Sequence, residues 1–193
     1  IKRLYDVLFS SVVIVFLLSW LTPLLAILIR LEGKGPVFFK QSRNGFNYLE
    51  FDCYKFRSMK PNDNAHVFQA SKGDSRITKV GSFMRKTSID ELPQFFNVLF
   101  GDMSVVGPRP HMVSHTNMYA ESVDKFMVRH FVKPGITGLA QISGFRGEVE
   151  TDNDIINRVK YDIFYIENWS LLLDIKITLQ TALNAIKGEE KAY

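Results

Sequence analysis

Cysteine is almost absent from this sequence, since Cys53 is the only one among 193 residues. A single thiol excludes an internal disulfide and any metal site made of thiolates alone, and it is typical of a reducing compartment. No internal repeat or low-complexity tract is visible either. One globular unit with a sizeable core fits this length, and two large domains do not.

Signatures of nucleic-acid binding are also missing. The sequence contains no zinc knuckle, no aromatic RNP-like strand and no basic helix. Lys and Arg total 24 against 20 acidic residues, which gives a net charge of +4. This mild excess suits anionic lipid headgroups or phosphorylated ligands, so no nucleic-acid partner is expected.

Charge is absent from one long segment, residues 7 to 29. As a helix it would be about 35 Å long, which is enough to cross a bilayer. No small-residue cleavage site follows it, so it is not a signal peptide. An ordinary transmembrane helix is the simplest interpretation. The chain starts with Ile1 directly before this run, so we expect it to be a fragment of a longer protein.

Two features of this segment favour a re-entrant helix instead. Basic residues stand at both ends, at 2 to 3 and from 30 onwards, so the positive-inside rule assigns neither end to the outside. Thr22-Pro23 can kink the helix, because proline removes a backbone hydrogen bond and the threonine hydroxyl can satisfy the freed carbonyl. Such a helix would enter and leave the membrane by the same leaflet.

The pattern after residue 36 indicates a hairpin followed by helices. Residues 37 to 41 and 48 to 56 are rich in β-branched and aromatic side chains, and Arg43-Asn44-Gly45 carries an Asn-Gly turn signal. The polar stretch 60 to 76 indicates a surface loop. Helices are predicted over 78 to 86, 90 to 100, 112 to 130, 152 to 167 and 170 to 187.

The last predicted helix carries a broad apolar stripe. Leu172, Ile175, Leu179 and Leu183 recur at spacings of three and four residues. Packing into a core is the default explanation. A helix in the membrane interface is the alternative, and Trp20 and Trp169 are suitable interfacial side chains.

The densest group of candidate functional residues runs from Arg85 to Gln94. Ser88 and Glu91 match a capping box, which predicts a helix start. Asp90 and Glu91 would then lie where free backbone N–H groups favour anions. The simple interpretation is that Glu91 only caps. The basic pair at 85 to 86 favours a site where phosphate neutralises the cations while a divalent metal bridges it to the acids.

Two further loops are candidates for ligand binding. Arg109 lies between Pro108 and Pro110, and a stiffly held guanidinium suits bidentate phosphate recognition. An exposed arginine in a proline turn is the alternative, and the motif alone favours neither. The glycine-containing stretch 134 to 141 could cradle a ligand through backbone N–H groups. It is neither a Walker A motif nor a dinucleotide fingerprint, so ATP-driven phosphoryl transfer is not predicted.

Together these motifs resemble the bacterial polyprenyl-phosphate sugar-1-phosphate transferases, or monotopic phosphoglycosyl transferases. The resemblance covers nearly the whole chain in the family's order. Many relatives have serine in place of Thr22 and Arg-Pro-Gly in place of Arg43-Asn44-Gly45. The matching elements are KRLYD at 2 to 6, Thr22-Pro23, YKFRSM at 54 to 59, DSRITKVGSFMRKTSIDELPQFFNVLFGDMSVVGPRP at 74 to 110, KPGITGLAQISG at 133 to 144 and YDIFYIENWSLLLDIKI at 161 to 177.

The resemblance implies a covalent mechanism. Asp90 corresponds to the nucleophile that attacks the sugar-bearing phosphate of a UDP-sugar, expels UMP and forms an aspartyl phosphosugar. Undecaprenyl phosphate, a polyprenyl phosphate, then takes the phosphosugar. Glu91 is the adjacent acid, and both carboxylates are expected to bind Mg²⁺. Arg85 and Arg109 match phosphate-binding residues. Asp162 and Lys55 also fall on matching positions, as additional site residues without an assigned role.

The expected fold is therefore α+β and mostly helical, with a re-entrant N-terminal helix, a β-hairpin and amphipathic interfacial helices. Residues 1 to 35 would be membrane-embedded, and residues 36 to 193 would form a catalytic domain on the cytoplasmic face of the bacterial inner membrane. The sugar stays open between glucose, galactose and N-acetylated sugars, and so does a homo-oligomeric state. The alternatives are a non-catalytic membrane scaffold of glycan assembly and a multi-spanning transferase, which the single long apolar segment disfavours.

Overall fold

The computed structural model describes residues 1–61, 73–147, 149 and 151–187. The chain is mostly helical with two small sheets, as predicted for the fold class. Most of the predicted loop at 60 to 76 lies outside the described residues. The helices are Lys2–Leu31 (α1), Lys79–Lys86 (α2), Gln94–Phe100 (α3), Val113–Ser122 (α4), Leu139–Ile142 (α5), Asp152–Glu167 (α6) and Leu171–Lys187 (α7), and the strands are Phe38–Asn44 (β1), Glu50–Phe56 (β2), Ser104–Val106 (β3) and Gly135–Thr137 (β4).

Helix α1 is long and apolar enough to cross a membrane, with a mean hydropathy of 2.8 over its most apolar window. It continues through Pro23 and departs from α geometry earlier, in a π-helical segment at Ile14–Leu18. Side chains satisfy carbonyls of this segment, because Trp20 Nε1 donates to the carbonyl of Phe16 at 2.9 Å. The irregularity therefore lies one to two turns before the predicted Thr22-Pro23 break.

The two long faces of α1 have different surroundings. Leu18, Leu25 and Ile29 are buried in the main core, together with Val98 and Val105 of the globular part. The opposite face is exposed and apolar over its full length, which is costly in water. Its residues are Leu4, Leu8, Val12, Phe16, Trp20, Leu24, Ile27 and Leu31.

The N-terminal end of α1 is fastened to strand β3 and helix α7. Lys2 Nζ donates to Asp174 Oδ2 at 2.8 Å and to the carbonyl of Val106 at 3.0 Å. The buried carboxylate of Asp6 accepts from the Ser104 hydroxyl and from the next backbone N–H of β3, both at 2.9 Å. These bonds make the first two turns of α1 part of the globular body.

The other end of α1 is fastened to the same body. The guanidinium of Arg57 donates to the carbonyls of Ile29 at 3.0 Å and Gly33 at 2.6 Å. The carboxylate of Glu32 accepts the backbone N–H of Val80, in the first turn of α2, at 3.0 Å. Both ends of the apolar helix therefore contact one globular unit.

Strands β1 and β2 form an antiparallel pair, but the turn differs from the predicted one. Asn44 is still in the ladder, opposite Glu50, so the connection is the five-residue stretch 45 to 49. Gly45 donates its N–H to the carbonyl of Leu49 at 2.8 Å to close it. The positive φ values fall on Asn47 and Tyr48 and not on an Asn-Gly pair.

The helix predicted over 112 to 130 is interrupted. Helix α4 ends at Ser122, and a separate 3₁₀ segment covers Phe126–Phe131 after Lys125 adopts a φ of 57°. The prediction for 152 to 167 agrees with α6, which begins in a capping box at Thr151. The prediction for 170 to 187 agrees with α7 to within one residue.

The glycine-containing stretch 134 to 141, predicted as a possible ligand cradle, uses part of its backbone for pairing with the segment that carries Arg109. It forms β4, which pairs in parallel with β3, and then the short helix α5. The N–H of Gly135 donates to the carbonyl of Pro108 at 2.9 Å. A Cβ at Gly135 would lie 2.1 Å from the Gly107 nitrogen, so glycine allows this close backbone approach.

Candidate active site

The candidate site begins at the turn between α2 and α3. The predicted capping box is not formed, because Ser88 has a left-handed φ of 58° and its side chain caps nothing. An N-cap residue normally has an extended backbone, which this conformation excludes. Residues Ile89–Glu91 form a 3₁₀ turn, and α3 starts only after Pro93. This turn places Asp90 and Glu91 in the interior.

Glu91 is the centre of a cluster of cations. Arg109 donates to both carboxylate oxygens in a bidentate pair, at 2.5 Å and 3.1 Å. Lys55 Nζ lies 2.7 Å from one oxygen and Arg146 3.5 Å from the other. Burial by itself would raise the pKa of Glu91, but Arg109 and Lys55 lower it well below its usual value. Glu91 is therefore ionised and already neutralised.

Asp90 is equally buried, with 6% of its surface exposed. Its carboxylate accepts no hydrogen bond from any residue that the structure describes. Burial and the neighbouring Glu91 charge raise its pKa, while Lys55, Arg85 and Arg109 lower it, and the result is about 6. Asp90 is thus a desolvated carboxylate that is largely ionised at neutral pH and is not hydrogen-bonded within the described part of the chain.

Most of the predicted site residues lie together. Arg85 contributes to the field at Asp90, and its Nη1 lies 3.5 Å from the Ser58 hydroxyl. Lys55 and Arg109 converge on Glu91, as described above. Sequence reasoning missed Arg146, which donates to Ser88 Oγ at 2.6 Å. Its position between two glycines, at 144 and 147, was the only signal in the sequence.

Asp162, predicted as an additional site residue without an assigned role, lies in a neighbouring cluster. Its buried carboxylate pairs with Arg129 in a separate cluster that includes His111 and Arg158. Burial raises the pKa of Asp162, although Arg129 opposes this effect. Arg129 links Asp162 to the site, because it also donates to the carbonyl of Arg109.

Cationic side chains surround both acids of the site. Lys55, Arg85 and Arg109 act on Asp90, and Lys55, Arg109 and Arg146 act on Glu91. Cations next to a buried carboxylate that accepts no hydrogen bond from the described residues suit the approach of a phosphate group. The four cations are Lys55, Arg85, Arg109 and Arg146.

Comparison with known proteins gives the family. The family model described as bacterial sugar transferase matches residues 1–188. This chain belongs to that family. Both acids and all four cations of the candidate site lie inside the matched range.

Relatives of this bacterial sugar transferase carry more specific names. The UDP-glucose:undecaprenyl-phosphate glucose-1-phosphate transferase of Klebsiella pneumoniae is 51% identical over 93% of this chain and 39% of its own length. The undecaprenyl-phosphate galactose phosphotransferase of Salmonella typhimurium is 41% identical over 94% of this chain and 40% of its own length. The exopolysaccharide production protein PSS of Rhizobium leguminosarum is 40% identical over 96% of this chain and 95% of its own length.

The chain thus spans about two fifths of the length of the first two of these relatives.

The carboxylate oxygens in the candidate site of this sugar transferase are compatible with a magnesium ion that binds together with a substrate. Among the described ranges, no group of three or more histidine, cysteine, aspartate or glutamate side chains converges on a metal position. Mg²⁺ in phosphate-handling sites is commonly held by one or two carboxylates together with substrate phosphates and water. Asp90 offers an unengaged carboxylate for this, whereas both oxygens of Glu91 already accept from cations.

Proposed function

We propose that this chain transfers a sugar 1-phosphate from a UDP-sugar to undecaprenyl phosphate, with release of UMP. The observation that carries this proposal is Asp90, a buried carboxylate that accepts no hydrogen bond from the described residues and lies in the field of Lys55, Arg85 and Arg109. Family membership and the names of the relatives supply the two substrates. The reaction would be the first membrane step in the synthesis of a polysaccharide or glycoconjugate.

Two displacements at one phosphorus atom make up the proposed reaction. A carboxylate oxygen of Asp90 attacks the sugar-bearing phosphorus, and the bond from this phosphorus to the bridging oxygen breaks, so UMP leaves with the electron pair. An oxygen of undecaprenyl phosphate then attacks the same phosphorus. The acyl-phosphate bond breaks, which regenerates the Asp90 carboxylate and gives the lipid diphosphate sugar. No general base is needed, because the nucleophile is an anion at neutral pH.

The surrounding side chains would neutralise the diphosphate. Arg85 and Arg109 are the proposed phosphate ligands, and Lys55 and Arg146 add positive charge at the same place. Glu91 holds three of these cations in position, so its role is to organise the phosphate-binding groups. Mg²⁺ is the proposed cofactor, and it would supply further neutralisation of the diphosphate charge. Asp90 and Glu91 are its proposed protein ligands, and Glu91 would have to exchange a hydrogen bond from Lys55 or Arg109 for the ion.

We propose further that α1 is re-entrant and that the globular part lies on the cytoplasmic face of the inner membrane. A helix that crosses the bilayer has its ends on opposite sides of about 30 Å of hydrocarbon. Here the region of Lys2 and the region of Gly33 bind the same globular body. The exposed leucines of α7, Leu172, Leu179 and Leu183, add a second apolar surface suited to the interface.

Trapping of the covalent intermediate tests the proposed function. The protein is incubated with labelled UDP-glucose, UDP-galactose or an N-acetylated UDP-sugar in the absence of lipid phosphate. We expect stoichiometric UMP release and a label that peptide mapping assigns to Asp90. Asp90→Asn should form no adduct, because an amide is a poor nucleophile. Glu91→Gln, the matched control, should still form adduct, but slowly.

Two results would refute the proposal. Absence of UMP release with every sugar would support a non-catalytic scaffold. Release of UMP by Asp90→Asn at the wild-type rate would support direct transfer between the substrates.

A further inference from the structure

The backbone carbonyls of residues 108 to 110, on both sides of Arg109, each accept a hydrogen bond from a separate donor. The Gly135 N–H donates to the carbonyl of Pro108 at 2.9 Å. Arg129 Nη2 donates to the carbonyl of Arg109 at 3.0 Å, and Arg43 Nη1 donates to the carbonyl of Pro110. Since proline has no N–H, the carbonyls are the main hydrogen-bonding groups through which this backbone can be fixed.

Arg129 is the most strongly constrained of these donors. It is 3% exposed, and its Nη2 also donates to Asp162. Its Nη1 lies 3.0 Å from Nδ1 of His111. Burial and the nearby Arg129 and Arg158 lower the pKa of His111 well below its usual value, so the ring is neutral and can accept this hydrogen bond. The planar guanidinium is therefore fixed on three sides.

These contacts form a continuous path from Asp162 to the candidate site. Asp162 orients Arg129, Arg129 holds the backbone of Arg109, and the Arg109 side chain makes a bidentate pair with Glu91. A rotation of the Arg109 backbone would displace its guanidinium by more than it displaces the carbonyl. Misplacing a group at a reacting centre by about 1 Å can cost on the order of a hundredfold in rate.

We propose that Arg129 is a positioning residue for the transfer reaction and acts through Arg109, and that Asp162 acts through Arg129. This inference rests on the proposed function, since it assigns to both residues an effect on the same phosphate-binding group. It also gives Asp162 a role that does not require contact with a substrate.

A purely structural role for Arg129 gives a different expectation. Loss of a buried arginine leaves Asp162 unpaired and destabilises the fold whatever Arg109 does. Destabilisation lowers the fraction of active protein but not the turnover of each folded molecule. The two roles can therefore be distinguished by the rate of UMP release per functional site. The amount of covalent adduct gives the number of functional sites.

The test is a double-mutant cycle on the full chain in detergent or nanodiscs. Arg129→Gln, Arg109→Lys and the double variant are compared with the wild type, with kcat for UMP release normalised to adduct stoichiometry. We expect Arg129→Gln alone to lower kcat by roughly tenfold to a hundredfold. In the Arg109→Lys background, where the guanidinium fork is already lost, it should cost less than about twofold more, because residues that act as one unit are not additive.

Arg57→Gln is the matched control, because Arg57 is also a buried arginine that binds backbone carbonyls, in its case those of Ile29 and Gly33. It should lower the melting temperature and leave the normalised kcat within about twofold of the wild type. If Arg129→Gln does not fold, Asp162→Asn replaces it in the same cycle. That substitution keeps the shape of the side chain and removes the charge that orients Arg129.

Independent effects of Arg129→Gln and Arg109→Lys, which would multiply in the double variant, would overturn the positioning role. So would a normalised kcat for Arg129→Gln within twofold of the wild type. Neither result would touch the proposed function, which fails only if the wild type releases no UMP or forms no adduct on Asp90.

Discussion

Replacement of Asp90 by asparagine is expected to abolish turnover and to stabilise the folded protein. The carboxylate is buried and accepts no hydrogen bond from the described residues, so its charge is carried at a cost. Asparagine has nearly the same shape and no charge. Replacing a residue that is needed only for chemistry should lower activity and raise the stability of the fold.

The magnitude follows from the pKa of Asp90, which burial raises from 3.8 to about 6. Each pKa unit corresponds to about 1.4 kcal/mol, so the ionised carboxylate destabilises the folded state by about 3 kcal/mol at pH 7. This value is an upper limit for the gain, because the amide of asparagine is also buried. With about 2 to 4 °C per kcal/mol for a chain of this size, this limit corresponds to a rise in melting temperature of about 6 to 12 °C, and we expect the observed rise to lie below it.

The stabilisation should depend on pH. Between pH 4 and pH 6 the folded protein binds a proton at Asp90 that the unfolded chain has released, so wild-type stability falls as pH rises through this window. Asp90→Asn lacks this dependence. The difference in melting temperature between variant and wild type should therefore be near zero at pH 4 and largest above pH 7.

The assay is thermal unfolding in detergent at pH 4, 5, 6 and 7.5, with Asp162→Asn as the comparison. Asp162 is as buried as Asp90, but it is paired with Arg129, so its replacement should destabilise the protein. A melting temperature for Asp90→Asn at or below the wild-type value at pH 7.5 would refute the reasoning. A gain of equal size at pH 4 and pH 7.5 would show that it does not come from the charge.

Three further outcomes are expected. The value of kcat/KM should rise with pH through about 6, and at pH 5 it should be about a tenth of the plateau, because the Asp90 nucleophile must be ionised. Glu91→Gln should slow UMP release at least about tenfold by freeing Arg109, and should move this midpoint to lower pH by removing a like charge. Single cysteines at Ile1 and Lys34 should react with an impermeant maleimide from the same side of the membrane, with the buried Cys53 unreactive; labelling from opposite sides would contradict a re-entrant α1.

Local patterns predicted the regular elements well, and the reasons are physical. Helix α6 matched its predicted bounds because its start has a side-chain cap at Thr151, a signal contained in neighbouring residues. The capping box predicted at Ser88 and Glu91 did not form, although its sequence is equally typical. There the long-range partners of Glu91, Lys55 and Arg109, outweigh the local bond.

Turn geometry was predictable only in part. The Asn44-Gly45 pair indicated a tight hairpin, but the chain extends the ladder to Asn44 and uses a longer loop. Packing of the Tyr48 ring against His130, with 5.1 Å between the ring centroids, accompanies this loop. His130 is far away in the sequence, so a local turn signal contains no information about the contact.

The candidate site was predicted in composition but not in its connections. Asp90, Glu91, Arg85, Arg109 and Lys55 were all identified from motifs and resemblance. Nothing in their spacing indicated that Glu91 would bind three cations while Asp90 accepts no hydrogen bond from the residues that the structure describes. This asymmetry depends on the three-dimensional arrangement of four separate segments, which carry Lys55, the Asp90-Glu91 pair, Arg109 and Arg146.

Helix α1 and the candidate site are connected through one short strand. Strand β3 is hydrogen-bonded to the first two turns of α1 at both ends: its start donates to the Asp6 carboxylate, and its end accepts from Lys2. Gly107 follows directly, and Arg109 comes two residues later. The backbone that leads into Arg109, the proposed phosphate ligand, is therefore fixed by α1. If α1 lies in the membrane as proposed, its contacts with β3 set the orientation of the site relative to the surface from which a lipid phosphate would arrive.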